Sequence, residues 1–217
     1  MEAFTKIPDA EHFYLTGGTA LAEFYYGHRR SYDLDLFTNV RDMVIPFSRQ
    51  LEAVFKERGL VLVPQRRFSS FAEFVCQAGK EQIRLHLAYD TPYRFGPPHR
   101  TGLGVFVNDY EDLVTDKLLA FFGRWTHRDA VDLYFILQDE DFKALTEKAK
   151  EKDPGFDLYW LSKAMKEVEQ FPDDMTRWDV DMVRPIDARD LKSAFGTLAQ
   201  TTLQDLLRPD DDERRKR

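Results

Sequence analysis

Asp33 and Asp35 stand one residue apart in the run Arg30-Ser31-Tyr32-Asp33-Leu34-Asp35-Leu36-Phe37. In an extended strand, residues i and i+2 point to the same face, so the two carboxylates share a side. Such a pair suits Mg²⁺, a hard cation that takes one or two protein carboxylates and completes its shell with substrate phosphates. Upstream lies Gly17-Gly18-Thr19-Ala20-Leu21. A glycine pair lets backbone amides approach a phosphate closely. Together the two pieces describe a site that holds a triphosphate through Mg²⁺, with Mn²⁺ as the alternative ion. Each alone has an ordinary explanation: two exposed strand-end acids, or a tight strand-to-helix turn. Ser31 adds a hydroxyl just before the acids, as a phosphate donor or a turn residue.

The elements that must position these groups can be read from the pattern. Phe13 to Thr16 is short, aromatic and β-prone, and predicts a strand ending at the glycines. Thr19 then caps a short helix that Gly27 ends. Asp33 to Thr38 is the second strand. Val44, Phe47, Leu51, Val54 and Phe55 recur at helical spacing within residues 42–58, closed by Gly59. Residues 60–63, 68–76 and 82–89 read as strands, the last two joined in a hairpin by a turn at 78–80. Residues 90–104 hold three prolines and three glycines and read as a loop and domain boundary. Helices follow at 110–122, 128–137, 141–150, 158–170 and 191–207. The expected organisation is a first domain over 1–104, a helical domain over 105–207, and a disordered charged tail over 208–217.

The bulk properties narrow the function classes. The 217 residues carry a net charge of −7 and are 43% hydrophobic. That excludes a broadly basic nucleic-acid binder but leaves local contacts open. Basic clusters at His28-Arg29-Arg30, Arg66-Arg67, His99-Arg100 and Arg124 to Arg128 are the candidates for such contacts. A single cysteine, Cys76, rules out an internal disulfide framework and fits a reducing compartment. With no secretory leader pattern and no apolar run of spanning length, the expectation is a cytoplasmic protein with no membrane role. The histidines lack zinc-site spacing.

The order strand, Gly-Gly, helix, strand with Asp-x-Asp resembles the nucleotidyltransferase fold shared with DNA polymerase β. The wording of the motif is closer still to the AbiEii/AbiGii toxin family, which includes MenT-like toxins. A second match lies downstream: Glu111-Asp112-Leu113 with Asp116-Lys117-Leu118-Leu119-Ala120, then Arg124 and Arg128-Asp129-x-x-Asp132-Leu133-Tyr134. The resemblance implies a mixed-sheet α/β (α+β) nucleotidyltransferase domain followed by a helical domain, with the active site in a cleft between them. It implies Asp33 and Asp35 as metal ligands and Gly17, Gly18, Thr19 and Ser31 as the phosphate cradle. It further implies that Lys117 and Arg128 contact the triphosphate, and that Asp132 pairs with Lys117 or acts as base.

The reaction implied is transfer of a nucleoside monophosphate from an NTP to a hydroxyl, such as the 3′ end of a tRNA, by the toxin of a type IV system with a cognate antitoxin. The alternatives are transfer to a protein or small molecule, or a silent nucleotide- or protein-binding module on the same fold. One departure bears on this choice. Polymerase-β-type enzymes add a third carboxylate from a later strand. Here His86, between Leu85 and Leu87, holds that place and reads as a packed strand histidine, with Asp90 as a substitute acid.

Overall fold

The computed structural model describes residues 4–207, and the charged tail expected at 208–217 lies outside them. The chain divides into two compact units, Met1–Leu113 and Val114–Arg217. The division falls within a helix, later in the chain than residue 104, where the first domain was expected to end. Among the described residues no helix is long and apolar enough to cross a membrane.

The first unit is built on a mixed sheet. Its strands are β1 (Tyr14–Thr16), β2 (Asp33–Thr38), β3 (Val61–Arg67), β4 (Phe71–Ala78), β5 (Glu81–Tyr89), β6 (His99–Arg100) and β7 (Phe106–Val107). They run in the order β3-β4-β5-β2-β1-β7-β6. β2 pairs antiparallel with β1 and parallel with β5, so the strand carrying the two acids sits at the centre. β3, β4 and β5 form an antiparallel meander that extends the sheet to one side. The loop expected over 90–104 is folded in: Asp112 accepts bonds from the Phe95 and Gly96 amides at 3.0 and 3.1 Å, and β6 closes on β7.

One face of the meander is covered and the other is not. Helix α2 (Val44–Glu57) buries Val44, Phe47, Leu51 and Phe55, one stripe at helical spacing. Phe47 stacks on Phe13 with ring centroids 4.0 Å apart. α2 packs on β3, β4 and β5, where Ala72, Phe74, Cys76, Leu85 and Leu87 are buried. Truncating a side chain such as Phe47 to alanine would cost about 3–5 kcal/mol. The alternate residues, Glu73, Val75, Arg84 and His86, stand on the opposite face and keep solvent contact. The sheet ends on one side in β3, whose pairing with β4 is interrupted between Pro64 and Arg66. On the other side it ends in the two-residue β6.

The second unit holds most of α3 (Tyr110–Arg124), with α4 (His127–Asp139), α5 (Phe142–Lys152), α6 (Leu158–Glu167) and α7 (Ala188–Leu207). Polar side chains start three of them: Thr126, Asp141 and Asp157 accept bonds from the amides of Asp129, Ala144 and Trp160. α7 runs through Gly196 because its apolar stripe, Leu191, Phe195 and Ala199, is buried. Phe195 meets Phe121 of α3 edge-on at 5.2 Å. Tertiary packing here outweighs the helix cost of a glycine, about 1 kcal/mol.

Candidate active site

The Gly-Gly turn is docked against β2 and the residues just before it at three successive positions. Gly17 has a φ of +70°, which favours glycine, and a Cβ there would overlap the Oδ2 of Asp35. Next to it, a Cβ on Gly18 would lie 3.3 Å from the Ser31 Oγ. Thr19 follows, and its hydroxyl donates to the Asp33 backbone carbonyl. Gly17, Gly18 and Thr19 thus meet Asp35, Ser31 and Asp33 in turn, and the structure gathers all six candidates at one place. The local helix differs from expectation in its start. Thr16 is the N-cap and α1 begins at Gly17 (Gly17–Leu21). Thr19 lies inside the helix, where its hydroxyl ties that helix to β2 instead of capping it. Residues Ala22–Tyr26 continue as a π-helical turn that Gly27 ends at a φ of +57°.

The basic cluster before the acids is surface only at Arg30, which is exposed. His28 is fully buried and Arg29 is 5% exposed. The Arg29 guanidinium lies so close to Gly18 that a Cβ there would overlap it, and its Nη1 donates to the Arg30 carbonyl at 3.1 Å. Arg29 therefore braces the turn, and of the expected RNA-facing pair Arg29 and Arg30 burial removes Arg29 while Arg30 stays exposed. Arg66 and Arg67 also part company, because neighbours on a strand face opposite ways. Arg67 pairs with Glu52 of α2 at 2.6 Å, while Arg66 stays on the open face, 3.1 Å from Glu73.

That open face carries a polar row in register with Asp35. Across the sheet, Thr16, Asp35, His86 and Glu73 stand opposite one another on β1, β2, β5 and β4, and Arg66 follows on β3. The Nδ1 of His86 lies 2.8 Å from Asp35 Oδ1, and its Nε2 lies 3.9 Å from Glu73 Oε1. A carboxylate only accepts, so Nδ1 carries the proton. The hydrogen bond to Asp35 raises the imidazole above its ordinary value, against the opposing effect of burial; the charges of Asp35, Asp33 and Glu73 add to the rise. His86 is thus a site residue and not a packed strand histidine. Its core neighbours Leu85 and Leu87 point the other way, into the face covered by α2.

Asp90 does not replace the missing acid. It lies four residues beyond His86, about 13 Å along an extended chain. There it accepts a 2.7 Å bond from the Tyr14 hydroxyl, and Arg94, stacked 3.8 Å over the Tyr14 ring, stands beside it.

In the second unit, the Lys117 ammonium lies 2.7 Å from Asp132 Oδ2, and both side chains are buried. Asp132 is fully enclosed, the setting of a counter-charge and not of a base that must reach an acceptor hydroxyl. Arg128 is held elsewhere, by the side chain and backbone carbonyl of Asp179. Arg124 binds Asp129 through two bonds of 2.8 and 3.0 Å, which fixes the start of α4. A further acidic group, Asp9, Glu11 and His12, is exposed on the first unit and shares no residue with the site.

The donor set fits a hard divalent ion. Asp33 and Asp35 share a strand face, are partly exposed, and offer carboxylate oxygens beside backbone amides. What sequence reasoning missed was Glu73, the burial of Arg29 against Gly18 and the orientation of His86. Only the last had a trace in the sequence, the alternation Leu85-His86-Leu87.

Residues 1–214 match the family model described as nucleotidyl transferase AbiEii toxin, type IV toxin–antitoxin system. An uncharacterized protein of Aquifex aeolicus is 28% identical over 177 residues, covering 76% of this chain and 78% of its own. Among solved structures, a candidate nucleotidyltransferase from H. pylori superposes with a TM-score of 0.62 at 19% identity, over 94% of this chain and 90% of that one. MenT4, a nucleotidyltransferase toxin from Mycobacterium tuberculosis, superposes with a TM-score of 0.57 at 13% identity, over 98% and 84%. At these identities the structures speak for the fold.

Proposed function

Because the chain belongs to the AbiEii family of type IV toxin–antitoxin nucleotidyl transferases, we propose that it transfers a nucleoside monophosphate from an Mg²⁺-bound NTP to a hydroxyl of an RNA. The observation that carries this reading is the threefold docking of Gly17, Gly18 and Thr19 against Asp35, Ser31 and Asp33. It sets a glycine turn directly beside two carboxylates, which is what a metal–triphosphate substrate needs.

In this reading Asp33 and Asp35 hold the ion, with Mn²⁺ as a substitute. The ion would offset charge on the triphosphate and on the pyrophosphate leaving group. Backbone amides at Gly17 and Gly18 and the Ser31 hydroxyl hold the phosphates. The acceptor oxygen bonds to the α-phosphorus as the bond to pyrophosphate breaks, and the hydroxyl proton leaves to solvent or a nearby base. Lys117 is the second-unit residue we assign to triphosphate binding, as a point charge beside Asp132. Arg128 is assigned a lesser part, since Asp179 competes for it. The acceptor we favour is a tRNA 3′ end, and the expected protein partner is a cognate antitoxin.

Calorimetry with each NTP in Mg²⁺, followed by transfer of label from NTP to bulk tRNA, tests the reading. Asp33→Asn or Asp35→Asn should weaken Mg²⁺-dependent NTP binding at least ~10-fold, about 1.4 kcal/mol, with the circular dichroism unchanged. Wild-type affinity in the doubly substituted protein would remove the metal assignment. Labelling of protein with none of RNA would move the acceptor to a side chain.

A further inference from the structure

The row Asp35, His86, Glu73 and Arg66 puts an imidazole where a third metal-binding acid was expected. We propose that His86 is a positioning residue that fixes the Asp35 carboxylate for the metal without binding the metal itself. The inference rests on the metal assignment made above.

Three observations carry it. First, Asp35 and His86 are register partners on adjacent parallel strands, and the 2.8 Å bond joins Nδ1 to Oδ1 alone. Secondly, Oδ2 abuts Gly17, at the turn assigned to the phosphates. The two oxygens of Asp35 are therefore distinguished. One is engaged by a ring N–H, and the other faces the phosphate turn and is the one left for the ion. Thirdly, the far side of the ring faces an acid. Glu73 lies across from it on β4, with its carboxylate 3.9 Å from Nε2, and Arg66 holds Glu73 in turn at 3.1 Å. Nδ1 carries the proton that Asp35 accepts, so it has no lone pair for a metal. Nε2 points towards Glu73 and away from Asp35.

A donor that orients a carboxylate ligand sets the torsion of that ligand before the ion arrives. Removing such a partner commonly weakens metal affinity by about 10–100-fold. The site then works with two acids, and the imidazole takes over the orienting role that a fixed carboxylate network has elsewhere.

The probe is Mn²⁺ with inorganic tripolyphosphate, which has no base and no nitrogen. Binding is followed by the loss of the free Mn²⁺ electron spin resonance signal, on the intact chain. His86→Ala should lower Mn²⁺ affinity ~10-fold or more. His86→Asn, whose side-chain amide can donate from nearly the position of Nδ1, should stay within about threefold of wild type. Asp35→Asn serves as the reference for loss of a ligand. Electron spin echo modulation of the wild-type complex should show no ¹⁴N coupling from an imidazole.

If Asp35→Asn weakens binding and His86→Ala does not, the positioning role fails and the metal site stands. A ¹⁴N coupling that His86→Ala abolishes makes His86 a ligand and overturns the proposal. Equal losses in His86→Ala and His86→Asn would mean that the ring only packs, which also overturns it. If Asp33→Asn and Asp35→Asn bind Mn²⁺ like wild type, the metal reading itself fails.

Discussion

Lys117 Nζ lies 2.7 Å from Asp132 Oδ2, and the pair is almost completely buried. Removing one partner of such a pair leaves a buried charge and costs about 3–5 kcal/mol, whereas replacing both with apolar groups is often neutral. Lys117→Met alone should therefore lower the melting temperature strongly, and Lys117→Met with Asp132→Leu should recover most of the loss. If Lys117 also serves the triphosphate, the recovered double variant stays inactive in nucleotide transfer. Transfer at the wild-type rate by that variant would confine both residues to a structural role.

Gly17 makes a separate prediction about the turn. Its φ of +70° and the approach of Asp35 Oδ2 both exclude a side chain. Gly17→Ala should destabilise the fold by only about 1–3 kcal/mol, the cost of local backbone strain. NTP binding should fall much further, because Asp35 must rotate away. A variant with reduced melting temperature and unchanged NTP affinity would separate Asp35 from the phosphate turn.

An RNA acceptor needs a basic surface near the acids. Arg84 stands opposite Asp33 in the register of β2 and β5, and it is exposed on the open face. Arg66 lies on the same face, with its side chain 66% exposed. Replacing Arg84 with glutamine should reduce labelling of tRNA while sparing NTP binding. The salt dependence of RNA binding should flatten by about 0.7–0.9 in log–log slope for each phosphate that is no longer neutralised. An unchanged slope would place the RNA elsewhere.

His127, at the first position of α4, gives a pH test that does not involve Asp33 or Asp35. It stacks on Trp178 at 5.0 Å and meets Phe171 edge-on at 4.5 Å. Burial lowers its pKa below the ordinary 6.5, and Asp179 opposes the shift more weakly. The unfolded chain then binds a proton more readily than the folded one. This group costs nothing above pH 6.5, and it removes stability as pH falls from 6.5 through the lowered folded value. Chemical denaturation between about pH 8 and about pH 5 should show that loss. His127→Phe should shrink it, and an identical pH profile in the variant would contradict the assignment.

Much of this was legible before any coordinates. The same-face geometry of Asp33 and Asp35 followed from strand periodicity alone. The stripe Val44, Phe47, Leu51 and Phe55 announced α2. Thr126, Asp141 and Asp157 are helix-start residues by type. What stayed hidden depended on which strands become neighbours. Nothing local says that β5 lies parallel beside β2, so the meeting of His86 with Asp35 could not be read from either segment. The alternation Leu85-His86-Leu87 shows that His86 faces away from its neighbours, but not that this face is the uncovered one. In the same way, Arg29 looks like surface charge in a basic run until the turn at Gly18 closes over it. β6 and β7 were too short to carry a periodicity.

The interruption at Pro64 has a consequence for the protein in a crowded cell. A wide sheet whose meander leaves one face uncovered invites other chains to add strands at its rim, the first step of aggregation. Here one rim strand contains a proline, which has no amide to donate, and an offset that breaks the ladder before Arg66. The opposite rim is β6, two residues long and too brief to template a partner. The meander can thus keep one face open to solvent without offering its own kind a place to polymerise.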